Sequence, residues 1–210
     1  MRYKERLSIA TLLLATLVIT GCAAPINEQD HSGFLGDYSR LKQVGDEHYL
    51  YENDRLGDYS TFMFDPVALL FTPDPENPQF TDEEVDSITD HINTEITEEL
   101  TDAGYAVTRT AAPGVARLRI GITDVDATVG AANILIYTKI TGAGLGGIAT
   151  ESEMVDSITG EQISAAVRWG SGSRVLRAGF TKTGDAKILI NRWIKAFIKR
   201  LDKAHGKTAG

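Results

Sequence analysis

The chain has 210 residues, of which 21 are Lys or Arg and 29 are Asp or Glu, giving a formal charge of −8. That length suits one domain with a sizeable core, and the acidity argues against nucleic acid as a general partner. A single cysteine, Cys22, cannot pair within the chain, so no disulfide framework holds the fold together.

Residues 1–6 read MRYKER and place Arg2, Lys4 and Arg6 against Glu5. Residues 7–20 follow without a charge, a run shorter than the roughly 20 residues of a membrane-spanning helix. A basic start, a short apolar run and small residues before a cut site predict a secretory signal peptide. The run ends Ile19-Thr20-Gly21-Cys22, which resembles the lipobox of bacterial lipoproteins. The resemblance implies alkylation of the Cys22 thiol with diacylglycerol, cleavage before it, and acylation (palmitate) of the freed amine. Two such signals anchor stably. Ala23 stands where an aspartate would signal inner-membrane retention, so the resemblance implies the outer membrane, with the domain in the periplasm. Loss of residues 1–21 removes three bases and one acid and moves the formal charge from −8 to −10.

The expected organisation is therefore a signal peptide over 1–21, a lipidated tether over 22–33 and one domain over 34–210. Small, polar, proline-containing composition marks the tether. GFLGDYSRLK, residues 33–42, sets Phe34, Leu35, Tyr38 and Leu41 among turn formers. Residues 59–71 predict a strand broken at Pro66, with Phe62 and Phe64 on one face. Three prolines in the stretch after it predict a loop.

Residues 81–104 predict a helix with a capping box at Thr81 and Glu84 and Gly104 just past its end. Val85, Ile88, Ile92, Ile96 and Leu100 fall on one face, and the segment carries nine acids and no base. Residues 105–110 and 115–129 predict strands divided by Pro113-Gly114, with Leu118, Ile120 and Ile122 on one side. Residues 130–149 are ambiguous. Residues 149–169 predict a hairpin turning at Thr159-Gly160, with Ile163, Ala165, Val167 and Trp169 alternating in its second arm. Residues 185–205 predict a second helix, apolar along Ile190, Trp193, Ile194, Phe197, Ile198 and Leu201 and basic opposite. The expected fold is α+β, a mostly antiparallel β-sheet with both amphipathic helices packed on one face.

Candidate chemistry is sparse. Gly142, Gly144 and Gly147 match G-x-G-x-x-G, but the residues after them lack a helical face, so a glycine turn fits better than a dinucleotide site. Asp124 and Asp126 share a strand face, a pattern that suits a metal, the acid/base pair of a hydrolase or, more simply, the solvent-facing side of an amphipathic strand. Asp65 before Pro66 and Asp156 beside Thr159-Gly160 suit turns. His31, His48, His91 and His205 lack metal-ligand spacing, and Ser171 and Ser173 lack a nearby histidine. The basic face of the last helix suits lipid head groups or plain solvation. No catalytic residue, cofactor site or metal site is assigned, and Cys22 is the one modification site.

GFLGDYSRLK, Asp65-Pro66-Val67 and DSITGE at 156–161 together resemble the uncharacterised bacterial lipoprotein family known as domain of unknown function 3313. The resemblance implies an exported, lipid-anchored α+β domain and carries no activity. The expected function is non-enzymatic binding or scaffolding at the outer membrane. Its expected partners are the membrane through lipid on Cys22, an envelope protein and a lipid ligand. The alternative is an accessory lipoprotein of an envelope lipid-transport system.

Overall fold

The computed structural model describes residues 31–46, 48–70, 81–126, 147–171 and 182–207. Eight strands form one sheet: β1 (Lys42–Gly45), β2 (His48–Glu52), β3 (Thr61–Phe64), β4 (Ala68–Leu69), β5 (Ala106–Val107), β6 (Val115–Asp126), β7 (Gly147–Asp156) and β8 (Gln162–Ser171). Their spatial order is β1-β2-β8-β7-β6-β3-β5, with β4 also paired to β6. Pairing is antiparallel from β1 through β6, whereas β3 and β4 run parallel to β6 and β5 runs parallel to β3. The mostly antiparallel α+β fold expected from the sequence is the one observed.

Helix α1 (Asp82–Asp102) opens on the expected capping box. Thr81 Oγ1 accepts from the Glu84 N–H at 3.2 Å, and Glu84 Oε2 accepts from the Thr81 N–H at 2.9 Å. It stops where Gly104 takes φ +83°, a conformation that glycine enters without a Cβ penalty. Helix α2 (Lys182–Ala204) starts three residues earlier than its periodicity predicts. Both helices pack against one sheet face, where Ile88, Ile92, Leu100, Ile190, Ile198 and Leu201 meet Phe62, Leu118, Ile122 and Met154. Each large apolar side chain buried there contributes about 1.5–3 kcal/mol. Among the described residues the acidic and basic helices meet through one ion pair, Lys195 to Glu99 at 3.4 Å, an exposed contact worth about 1 kcal/mol or less.

The predicted strand over 59–71 is split at Pro66 into β3 and β4, as its missing N–H requires. Phe62 and Phe64 do share the helix-facing core. In β8 the alternation slips: Met154 pairs with Ser164 and Val155 with Gln162, which leaves Ile163 bulged. Ile163 therefore joins the helix-side core, while Ala165, Val167 and Trp169 face the other way.

That second face is covered by the residues before β1. Leu35 and Leu41 are buried against Ala149, Ala165, Val167 and Trp169, with Phe34, Tyr38, Tyr49 and Tyr51 packed around them. GFLGDYSRLK is thus a strap laid across the back of the sheet.

Candidate functional site

The strap is shaped by its own polar residues. Asp37 accepts from the Ser39 N–H at 2.8 Å and the Ser39 hydroxyl at 2.7 Å, and it pairs with Arg40 at 2.8 Å. The hydrogen bonds from Ser39 hold its carboxyl below the usual carboxylate range. Turned in this way, the strap directs its donors at two buried acids in the middle of β7. Glu151 accepts from the Ser32 N–H at 2.9 Å, the Ser32 hydroxyl at 2.8 Å and the Tyr38 hydroxyl. Burial, reinforced by that bond to Glu151, pushes the Tyr38 phenol up to about 12, so it remains a donor. Docking thus begins at Ser32, within the stretch read as tether.

Glu153 accepts from the Gly36 N–H at 2.9 Å, from Gln162 Nε2 at 2.8 Å and from Arg119. Beside it opens a cleft of about 560 Å³, lined by Gly36, Asp37, Arg40, Asp65, Arg117, Arg119, Gly160 and Gln162 among others. Asp65 lies 3.7 Å from both Arg117 and Arg119. Arg40 donates to Tyr51 Oη at 2.6 Å and Gln162 Oε1 at 3.2 Å, with its guanidinium 4.2 Å from the Tyr51 ring centre. The cleft therefore alternates guanidinium and carboxylate groups held in place by packing, a surface suited to recognising a charged, hydrogen-bonding partner.

The three motifs singled out in the sequence converge at this point. The strap supplies Gly36, Asp37 and Arg40, Asp65 precedes Pro66-Val67, and Gly160 comes from DSITGE. Asp65 does more than form a turn, since two arginines share it. Asp156 organises the hairpin end: its Oδ1 accepts from the Ile158 and Thr159 N–H groups at 3.0 and 2.8 Å. Its Oδ2 accepts from the Tyr59 hydroxyl at 2.9 Å. The Thr159 N–H is the main cause that holds this carboxyl down at about 2.

Other sequence candidates do not assemble. Cys22, Gly142, Gly144 and Ser173 lie outside the described residues, and Ser171 and Gly147 are a strand end and a strand start. Gly147 leads into β7, not into a helix. Asp124 and Asp126 occupy β6 two residues apart, with backbone partners Ala149 and Gly147. The histidines are dispersed: His31 stacks on Tyr38, His91 meets Asn191 at 2.5 Å, and His205 meets the Leu201 carbonyl at 2.8 Å. Among the described residues no group of three or more His, Cys, Asp or Glu is placed to hold a metal, and no helix is long and apolar enough to cross a membrane. Sequence reasoning missed Glu151, Glu153 and Arg168, all of them buried charged residues. Their one signal is charge at alternate positions of strands that pair on both sides.

The family model described as Protein of unknown function (DUF3313) matches residues 30–197. No curated protein gives a significant match. Among solved structures, a PelC dodecamer from Paraburkholderia phytofirmans is similar at 12% identity, covering 77% of this chain and 98% of that one, with a TM-score of 0.45. Lipoprotein GNA1162 from Neisseria meningitidis is also 12% identical, covering 69% of this chain and 99% of that one, with a TM-score of 0.36. A minor lipoprotein from Acinetobacter baumannii is 11% identical, covering 69% of this chain and 94% of that one, with a TM-score of 0.34.

Proposed function

This chain belongs to the family of proteins of unknown function DUF3313, and on that premise we propose that it is a bacterial envelope lipoprotein. Lipid on Cys22 anchors it to the outer membrane, and its periplasmic domain binds or scaffolds another envelope protein without catalysing a reaction. The observation that supports the binding role is the convergence of the strap, Asp65 and the DSITGE turn on one charged cleft. Its acids are engaged, Glu153 as acceptor from three donors and Asp65 in ion pairs at 3.7 Å with two arginines. Such groups hold a shaped surface more readily than they shuttle protons.

Two experiments test this proposal. Metabolic labelling with an alkyne palmitate should mark the wild-type chain and not Cys22→Ser, and label on the variant would refute the anchor. A photo-crosslinker at exposed Ser39 on the strap should capture an envelope protein in living cells, whereas one at exposed Thr94 on α1 should not. No product above a tether-only control would refute the cleft as a binding surface. A second reading, an accessory lipoprotein of lipid transport, draws on a cavity on the opposite face of the sheet.

A further inference from the structure

Between the helices and the sheet lies a cavity of about 90 Å³. Ile92 and Ile96 of α1 and Ile190, Trp193, Ile194 and Phe197 of α2 form its apolar roof. Arg168 of β8 and Arg200 of α2 line it as well. Arg168 is 8% exposed, and among the described residues it has no hydrogen bond or ion pair. Among the described residues the acid that acts on it is Glu52, which accepts from Arg200 Nε at 2.5 Å. His48, the backbone partner of Arg168 across β2 and β8, adds a third nitrogenous group, whose Nε2 is buried without a partner.

A buried guanidinium without a hydrogen-bonded acid is costly, because the charge of Glu52 nearby does not repay its desolvation. Burial and the neighbouring Arg200 push the Arg168 guanidinium down to about 10. Among the described residues Arg168 and Arg200 share the one carboxylate of Glu52, while Arg119 and Glu153 of the lining pair with each other, so the Arg168 end is short of one negative charge. A planar guanidinium fork matches a carboxylate in geometry and charge, and an aliphatic roof matches an alkyl chain.

We propose that this cavity binds a carboxylate-headed, single-chain amphiphile of medium length, its head on Arg168 and its chain under Ile92, Ile96 and Phe197. One carboxylate neutralises Arg168 and leaves the Arg200–Glu52 pair intact. The chain displaces water from apolar walls, and this displacement supplies affinity that a small anion lacks. The inference draws on other groups than the cleft on the strap face, although Arg119 and Glu153 belong to both linings.

The test titrates decanoate into the mature chain from residue 22, carrying Cys22→Ser so that no detergent competes, and follows heat and, in a Trp169→Phe background, Trp193 fluorescence. Decanoate should saturate at one per chain, and acetate and inorganic phosphate should bind about tenfold or more weakly. Arg168→Met should weaken decanoate by about tenfold or more and leave decanol binding unchanged. Ser152→Leu, which fills the floor of the cavity and keeps Arg168, should lower decanoate binding to the level of acetate; it decides the matter if Arg168→Met fails to fold. Failure of decanoate to saturate the wild type would overturn the proposal. Affinity within about twofold of wild type in either folded variant, or phosphate or acetate binding as tightly as decanoate, would overturn it too.

Discussion

Glu151→Ala should release the strap while leaving the sheet and helices folded. Glu151 is 0% exposed and accepts three hydrogen bonds, two from Ser32 and one from Tyr38. Hydrogen bonds to a charged group contribute about 1.5–3 kcal/mol each, and buried Leu35 and Leu41 add about 1.5–3 kcal/mol each. Against these stands the ordering of ten or so strap residues at about 1 kcal/mol apiece, so the strap is held by a small margin. Undocking caps the loss, because a freed strap hands its donors to water. A loss of about 2–3 kcal/mol raises the open fraction about 30- to 150-fold. Hydrogen exchange with mass spectrometry should show that acceleration in peptides spanning 31–42 and little change in β6 and β8. Glu151→Gln, which keeps one carbonyl acceptor, should fall between. Equal acceleration of strap and sheet peptides, or less than about threefold in the strap, would refute separate docking.

Three further outcomes follow from the same geometry. Asp156 is depressed to about 2 in the folded chain, so its stabilisation is full above about pH 4 and lost as pH falls toward 2. The gap in urea midpoint between wild type and Asp156→Asn should close over that range, and a constant gap would contradict it. His48 is pushed down to about 3 by burial and by Arg168 and Arg200, with Glu52 the nearby acid. The unfolded chain then takes the proton first, stability declines as pH drops below about 6.5, and His48→Gln should flatten that slope. At Gly57 a Cβ would sit 2.6 Å from the Ala204 carbonyl oxygen, so Gly57→Ala should cost about 1–3 kcal/mol. Calorimetry should read this as a Tm lower by about 2–12 °C, and an unchanged Tm would show that the end of α2 yields freely.

The helices were legible because their signals are local. Thr81, Glu84 and Gly104 mark the ends of α1, and the isoleucines at helical spacing mark its face. The sheet was legible in its antiparallel part, where hairpin and alternation are also local, and so was the shared face of Phe62 and Phe64 in β3. The parallel pairing of β3 and β4 with β6 joins residues some fifty apart, and nothing in either segment names its partner. Ile163 was assigned to the wrong face because one bulged residue shifts every later side chain. In the strap, the motif was visible, but its role depended on Glu151 and Glu153, which lie more than a hundred residues away.

Those acids belong to the wholly polar stretch Thr150-Glu151-Ser152-Glu153, which lies in β7, between β8 and β6. Stability alone would place valine or isoleucine there, at about 1.5–3 kcal/mol for each side chain buried. Polar groups at a sheet centre cost desolvation unless something meets them. On one face the strap meets Glu151 and Glu153 with Ser32, Gly36 and Tyr38. On the other, Thr150 and Ser152 join Ser164 and Arg168 in lining the cavity beneath the helices. The period-two alternation of a strand keeps these roles on separate faces, so a change at 151 acts on the strap and a change at 152 acts on the cavity. Core energy is given up on both sides of one strand, which is where functional sites break the rules of stable packing. The strand that carries two buried acids at the middle of the sheet is for that reason the one that ties the strap-face cleft and the cavity to the same fold.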